Sequence, residues 1–215
     1  MQINLHEELG EIIYSRFNSL ATEKKNRILN AAFKEFAKNG YEKASTNIII
    51  KEANISKGSL FDYFGNKKRL YLFLLNYTSN LIANFYDEID LADRDIFNRI
   101  EELSWVKLKI MKKFPEIFDF LKKASVEESN EIKHDIDKIK VSIVEDFKIM
   151  YENIDSTKFR EDIDIQKAID IINWSMLGFS DREIEKLDSF SNVDDKKIKE
   201  WEIYSNILKK CFYKE

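Results

Sequence analysis

Residues that build tight turns and cross-links are scarce in this chain. Its 215 residues include five Gly, one Pro and one Cys. An all-β fold needs many turns of the kind that Gly and Pro make, so their scarcity favours an all-α fold. The single cysteine, Cys211, excludes an internal disulfide and a cysteine-based metal site. We expect Cys211 to pack as a small apolar side chain.

Long apolar runs are absent as well. No run approaches the length of about eighteen residues that a membrane span requires, and Met1 to Gly10 lack the basic start and apolar stretch of a signal peptide. With 44% apolar residues, the chain can still bury a core. These features predict a soluble, cytoplasmic protein.

Patterns typical of enzymes and metal sites are also missing. The sequence has two histidines, His6 and His134, and no Gly-rich phosphate loop. His134 lies near Glu131, Asp135 and Asp137, but a surface histidine beside acids is ordinary and does not define a metal site. We therefore expect no enzymatic activity, no metal and no cofactor.

Charge is distributed unevenly along the chain. From Ala21 to Tyr71, eleven Lys and Arg stand against five Asp and Glu, a balance of +6, whereas residues 1–20 carry −2 and the remainder −8. The net charge of −4 alone argues against nucleic acid. The uneven distribution of charge along the chain, however, is typical of a protein that binds a polyanion with one end. A solvated charged surface would explain the charge pattern by itself equally well.

Apolar residues recur at helical spacing along the whole chain, which predicts an all-α protein. Residues 1–20 are expected to form a short helical extension, and a stronger helix runs from Thr22, its predicted N-cap, to Asn39-Gly40. Pro115 suits the first turn of a later helix. Two long helices are predicted over 165–187 and 196–213.

Two short helices, 46–53 and 57–64, are joined by Asn54-Ile55-Ser56, a spacing that suits a helix-turn-helix. Ser45 and Ser56 are expected to cap these helices. On the second helix, one face is predicted to pack on the core and the other to be exposed. The predicted core face is Leu60, Phe61 and Phe64, and the predicted outer face is Ser59, Asp62 and Tyr63.

Gly58 begins the outer face, and Gly allows a backbone to approach another surface closely. A helix N-terminus offers N–H groups and partial positive charge, which suit a phosphate. Lys57 and Lys67 flank this end as cations, and Tyr63 offers a hydroxyl. The pattern predicts a surface for contact with a phosphate backbone.

The segment YEKASTNIIIKEANISKGSLFDYFGNKKRLY, Tyr41 to Tyr71, resembles the DNA-binding signature of the TetR family of bacterial repressors. With the preceding helix, the resemblance covers residues 22–83. It implies a helix-turn-helix domain over 21–70, followed by a helical effector-binding and dimerisation domain over 71–215. Carried over by position, the expected contacts with double-stranded operator DNA are Ser45, Thr46, Asn47, Lys57, Gly58, Ser59, Tyr63 and Lys67, of which Asn47 is a candidate base reader.

Four positions depart from the family pattern. Asn54 stands where Gly is usual, but Asn tolerates a left-handed turn better than other side chains. Ile50 replaces a usual Ala, and Ile48 replaces a polar residue. Asp62 would repel phosphate but can accept a hydrogen bond from a cytosine amino group.

The C-terminal part is rich in aromatic and Met side chains, as the lining of a ligand pocket would be. Our candidates for the wall of a pocket for a small apolar effector are Trp105, Phe118, Trp174 and Phe179, and Gly178 marks a possible close approach. The resemblance implies a repressor that the effector releases from its operator. The alternative is a protein of the same fold that acts through protein partners, as in nucleoid occlusion, without a small molecule.

The resemblance further implies a homodimer, which we expect to form through the two C-terminal helices. Apolar stripes on both helices are wide for helices with one side in water. The predicted interface stripes are Ile165, Ile169, Ile172, Met176 and Phe179 on the first helix and Ile198, Trp201, Tyr204, Ile207, Leu208 and Cys211 on the second.

Overall fold

The computed structural model describes residues 14–138, 149–185 and 196–214. Most of these residues are helical, which confirms the all-α prediction. The helices are α1 (Ser15–Asn18), α2 (Thr22–Lys43), α3 (Thr46–Ala53), α4 (Lys57–Phe64), α5 (Lys67–Asp87), α6 (Ile96–Lys113), α7 (Ile117–Ser125), α8 (described over 133–138), α9 (Ile165–Glu185) and α10 (Lys196–Phe212). Most of the predicted extension, residues 1–13, lies outside the described residues.

Helix α2 departs from its predicted ends. Thr22 is its first helical residue and Ala21 is the N-cap, so the prediction of Thr22 as cap is wrong. Near the other end, Gly40 has φ 68° and ψ −175°, which interrupts the helical geometry before a last turn to Lys43. This backbone conformation is accessible almost only to Gly.

The chain divides into two compact units. Unit 1 consists of Met1–Leu81 and Lys113–Ile143, and unit 2 of Ile82–Lys112 and Val144–Glu215. Helices α5 and α6 run through the boundaries. The division by sequence at residue 70, which the family resemblance implied, stays a prediction.

The core of unit 1 lies where α2 packs on α3 and α7. Phe33 and Phe36 of α2 are fully buried, and the Phe33 ring lies 5.3 Å from that of Phe120 on α7. Ile49 of α3 and Leu60 of α4 are buried as well. The helix-turn-helix is therefore built on the apolar stripe of α2.

Unit 2 has a separate core that joins α6, α9 and α10. Its buried residues are Ile96, Phe97, Ile100, Phe159, Ala168, Ile169, Ile172 and Trp201. At its edge, Asp95 is buried and accepts hydrogen bonds from Lys158 (3.0 Å), Lys209 (3.2 Å) and the hydroxyl of Tyr213 (3.1 Å). This carboxylate ties the start of α6 to the end of α10.

The C-terminal helices also carry an exposed apolar face, which differs from the predicted interface stripes. Ile169, Ile172 and Trp201 pack into the core of unit 2, so the prediction that they face a partner is wrong. The exposed large apolar side chains of α9 and α10 are Ile171, Trp174, Leu177, Ile203, Tyr204 and Ile207. Cys211 is exposed, contrary to its predicted packing. Among the residues that the structure describes, no helix is long and apolar enough to cross a membrane.

Candidate nucleic-acid interface

The turn between α3 and α4 depends on one left-handed residue. Asn54 has φ 49° and ψ 56°, as predicted for this position. Its N–H donates to the carbonyl oxygen of Lys51 at 3.2 Å, and the N–H of Ile55 donates to that of Ile50 at 3.2 Å. These bonds close α3 and allow the chain to turn into α4.

The N-terminus of α4 is capped as predicted. Ser56 has extended backbone angles, and its Oγ accepts a hydrogen bond from the N–H of Ser59 at 3.0 Å. A helix leaves its first N–H groups without intrahelical acceptors. With Ser59 satisfied by Ser56, the N–H groups of Lys57 and Gly58 remain at an exposed helix end.

The start of α3 is held in another way. The side chain of Ser45 makes no capping hydrogen bond, so that prediction is wrong. Instead, the backbone N–H of Ser45 donates to Oε1 of Glu35 at 2.8 Å. Glu35 is buried on α2 and also accepts from Asn39 at 3.0 Å. A buried carboxylate therefore fixes where α3 begins.

Six of the predicted contact residues lie at the N-terminal ends of the two helices. Ser45 and Thr46 are half-buried and Asn47 is exposed at the start of α3. In the first turn of α4, Lys57 and Gly58 are exposed and Ser59 is half-buried. The structure thus brings each trio together at one helix end.

Tyr63 and Phe61 exchange their predicted positions. Tyr63 is only 8% exposed, and its ring packs near those of Phe17 (6.3 Å) and Phe64 (6.3 Å). Phe61 is 38% exposed, so its prediction as a core residue is wrong. The Nζ of Lys57 lies 5.9 Å from the centre of the Phe61 ring. The outer face of α4 therefore contains an aromatic side chain under a cation.

Lys67, the eighth predicted contact, is engaged inside unit 1. Its Nζ donates to the carbonyl oxygens of Glu42 (2.9 Å) and Ala44 (3.4 Å). The same Nζ lies 4.9 Å from the centre of the Tyr41 ring. Lys67 thus fixes the end of α2 and the link to α3. A contact with DNA would be made by an ammonium group that already has this structural role.

Tyr41 links the same end of α2 to the segment after α7. Its N–H donates to Oε2 of Glu127 at 2.8 Å, and its hydroxyl donates to Oε2 of Glu131 at 2.8 Å. Burial, with the hydrogen bond to Glu131, raises the pKa of Tyr41. The hydroxyl therefore remains a proton donor throughout the neutral range.

Three residues that position this surface have no signal in the sequence. Glu35 holds the start of α3, Arg27 donates from Nε to the carbonyl oxygen of Ala53 at 2.7 Å, and Arg16 of α1 pairs with Asp62 of α4. Each pair is distant in sequence, so no local periodicity reveals it. Within the described ranges, no group of three or more His, Cys, Asp or Glu is placed to hold a metal ion.

The candidate effector residues are divided between the two units. Phe118 belongs to unit 1, and Trp105, Trp174 and Phe179 belong to unit 2. Trp105 and Trp174 are exposed, Trp174 by 68%. Phe179 lines an open cavity of about 250 Å³. The other residues around this cavity are Ser175, Gly178, Arg182, Trp201 and Tyr204.

The fold and the site define a helical protein with an N-terminal helix-turn-helix. Residues 28–73 match the family model for bacterial regulatory proteins of the tetR family. The chain is 46% identical over 55 residues to the HTH-type transcriptional regulator YuxN of Bacillus subtilis, covering 26% of this chain and 19% of YuxN. It is 42% identical over 52 residues to the HTH-type transcriptional regulator QacR of Staphylococcus aureus, covering 24% and 28% of the two chains.

The similarity to a solved structure extends further along the chain. A TetR family transcriptional regulator from Chloroflexus aurantiacus superposes with a TM-score of 0.65 at 22% identity, covering 94% of this chain and 98% of that chain. The helix-turn-helix segment thus matches the TetR family model, and the chain as a whole shares the fold of a TetR family regulator. The matched segments span less than a third of YuxN and of QacR.

Proposed function

We propose that this protein is a DNA-binding transcriptional repressor that reads an operator through α3 and α4. The observation that carries the proposal is Gly58. It is exposed, its φ is not positive, and a Cβ added there would meet only Oγ of Ser56, at 3.7 Å. The fold does not require Gly at this position, whereas close approach of a nucleic-acid backbone does.

The surroundings of Gly58 suit a phosphate. The exposed N–H groups of the first turn of α4 provide donors and partial positive charge, and Lys57 adds a cation beside them. Ser45, Thr46 and Asn47 offer polar groups at the start of α3. In this arrangement, phosphate contacts position α4 in the major groove, and Asn47 and the outer face of α4 read bases.

We propose a homodimer through the exposed apolar face of α9 and α10. Trp174 and Leu177 on α9, with Ile203 and Ile207 on α10, expose large apolar side chains that two-fold pairing would bury. Pairing of this kind would present two copies of α4 to half-sites about one DNA turn, or about 34–36 Å, apart.

We also propose that a small apolar effector bound by unit 2 releases the DNA. The support is the cavity beside Phe179, where Trp201 and Tyr204 supply an aromatic wall and Gly178 leaves room. Its volume of about 250 Å³ is below the range of about 300–1,000 Å³ that is usual for ligand sites, so the effector must be small. To lower DNA affinity a hundredfold, the effector must favour the state that cannot bind DNA by about 2.7 kcal/mol.

The DNA-binding proposal is tested by selecting duplexes from a randomised library with the purified protein. We expect enrichment of a two-fold symmetric sequence, with a Kd that weakens steeply with salt. Lys57→Ala should weaken binding and lower the slope of log K against log salt by about one unit. Lys109→Ala, which also removes an exposed cation, should change neither quantity. Absence of any enriched duplex would refute the proposal.

The effector proposal is tested with the same selected duplex. Apolar compounds that raise the melting temperature of the free protein should release the labelled DNA. Phe179→Ala should abolish both effects while leaving the DNA affinity of the free protein unchanged. Compounds that stabilise the protein without releasing DNA would instead favour the alternative, a DNA-binding protein that acts through protein partners.

A further inference from the structure

The short helix α1 is fixed against the proposed reading helix α4. Phe17 is 2% exposed, and its ring lies 5.0 Å from Phe64 and 5.2 Å from Phe73. The ring of Tyr14 lies 4.6 Å from Phe73. These aromatic contacts hold the backbone of α1 in place, so its polar side chains have defined positions relative to α4.

One of those polar side chains pairs with the outer face of α4. Nη1 of Arg16 donates to Oδ1 of Asp62 in an ion pair whose side chains are 68% and 44% exposed. Asp62 is exposed, and at 3.6 residues per turn it lies on the side of α4 opposite to the buried Leu60 and Phe64. The pair therefore lies on the surface that the proposed function presents to DNA.

The presence of a carboxylate on a surface that contacts DNA needs an explanation, because a carboxylate repels phosphate groups. The repulsion grows when water is displaced on binding, since the local dielectric constant falls. A guanidinium bound to the carboxylate cancels most of this cost. An isolated exposed ion pair contributes little to stability, so stability alone does not explain the pair.

We propose that Asp62 is a specificity-determining residue that accepts a hydrogen bond from the amino group of a cytosine, and that Arg16 is its positioning residue. Arg16 pairs with one face of the carboxylate, and an ionised carboxylate has further acceptor sites for a second donor. In the major groove, Asp and Glu pair with the N4 amino group of cytosine, whereas Asn pairs with adenine through N6 and N7. The inference rests on the proposed DNA-binding function. It adds residues 14–18 to the DNA-binding surface that α3 and α4 form.

The experiment compares base preferences selected from a randomised duplex library by the full chain and by Asp62→Asn. The wild-type protein should prefer cytosine at one position of each half-site, by about tenfold over other bases. Asp62→Asn should transfer this preference to adenine at the same position, and Asp62→Ala should remove it. The neighbouring positions should keep their preferences in all three proteins.

The role of Arg16 is tested by a double-mutant cycle on the duplex that the wild type selects. Arg16→Ala should weaken binding about tenfold when Asp62 is present but less than about twofold in the Asp62→Asn background, because the repulsive charge is then absent. Arg16→Lys keeps the cation and should restore most of the affinity. Lys109→Ala is the matched control, since Lys109 pairs with Glu88 at similar exposures, 70% and 50%, in unit 2.

The outcomes separate this inference from the proposed function. If the wild type enriches a duplex but Asp62→Asn selects the same bases, the inference is overturned and the proposed function stands. Equal losses for Arg16→Ala in the wild-type and Asp62→Asn backgrounds would overturn the positioning role of Arg16. If the wild type enriches no duplex, both the inference and the proposed function fail. Circular-dichroism melting within about 4 °C of the wild type confirms that each variant is folded.

Discussion

Gly58→Ala, which adds a single methyl group, tests whether DNA binding or the fold requires the glycine. In the free protein the new Cβ would lie 3.7 Å from Oγ of Ser56, an ordinary van der Waals distance. Because Ala favours a helix over Gly by up to about 1 kcal/mol, the free energy of unfolding should be unchanged or slightly higher. The melting temperature should therefore stay the same or rise by up to about 4 °C.

DNA binding should respond in the opposite direction. A methyl group forced into a closely packed contact costs about 1–3 kcal/mol, which corresponds to a loss of affinity of about 5- to 150-fold. Fluorescence anisotropy with the selected duplex measures the Kd, and calorimetry measures the melting temperature of the same sample. Gly58→Ser should lose at least as much affinity, since it adds a larger group.

The control for stability is Gly178→Ala in α9. Gly178 has no heavy atom of its own chain within 4 Å of an added Cβ, so without effector the melting temperature of this variant reports mainly the effect of helix propensity. Undiminished DNA affinity in Gly58→Ala would show that no backbone approaches this position. A fall in melting temperature of more than about 4 °C would show that the fold, rather than DNA, requires the glycine.

Three further predictions concern the fold and the assembly. Gly40→Ala should destabilise the chain by about 1–3 kcal/mol in urea unfolding, because the residue has a positive φ and its Cβ would lie 3.1 Å from Oε2 of Glu127; unchanged stability would refute this. Burial raises the pKa of Asp95, but the hydrogen bonds from Lys158 and Lys209 outweigh this effect. The pKa of Asp95 therefore lies below its ordinary value. The ionised Asp95 therefore stabilises the fold at pH values above the unfolded-state pKa of about 3.9. This stabilisation is lost as the pH falls through the lower pKa of the folded state. Asp95→Asn should lower the free energy of unfolding by about 1–3 kcal/mol at pH 7 and by less below pH 3. If the free energies of unfolding of wild type and variant differed by the same amount at every pH, this role of Asp95 would be contradicted. Trp174→Glu should convert a dimer to a monomer in light scattering at micromolar concentration, whereas Trp105→Glu on α6 should not.

Local patterns in the sequence predicted the helix-turn-helix well. Ser56 caps α4, and Asn54 has the left-handed conformation that its position demanded. These features depend on residues within one turn of the chain, where spacing and backbone preference are decisive. The composition likewise predicted the all-α fold, because few residues suited to tight turns are present.

The orientation of α4 could not be predicted from its own residues. Four apolar side chains over Leu60 to Phe64 allow two overlapping helix faces, one that contains Phe61 and one that contains Tyr63. The aromatic ring of Phe17, far away in sequence, packs near Tyr63 and Phe64 and so selects the second face. The stripes of α9 were similarly ambiguous, since Ile169 and Ile172 bury against the core while Trp174 remains exposed.

Lys67 shows how a predicted contact can have two roles, and its salt dependence distinguishes them. Its Nζ donates hydrogen bonds to the carbonyl oxygens of Glu42 and Ala44, at the end of α2 and in the link to α3. Lys67→Ala would therefore destabilise this link even if Lys67 contacts no phosphate. A lost phosphate contact lowers both the affinity and the slope of log K against log salt, by about one unit. A displaced α3 lowers the affinity and leaves the slope unchanged. We expect the slope to fall, because a Lys ammonium has three donors and these carbonyls occupy two. An unchanged slope with weaker binding would assign Lys67 to the fold, and the phosphate contacts would then depend on Lys57 and the exposed N–H groups of α4.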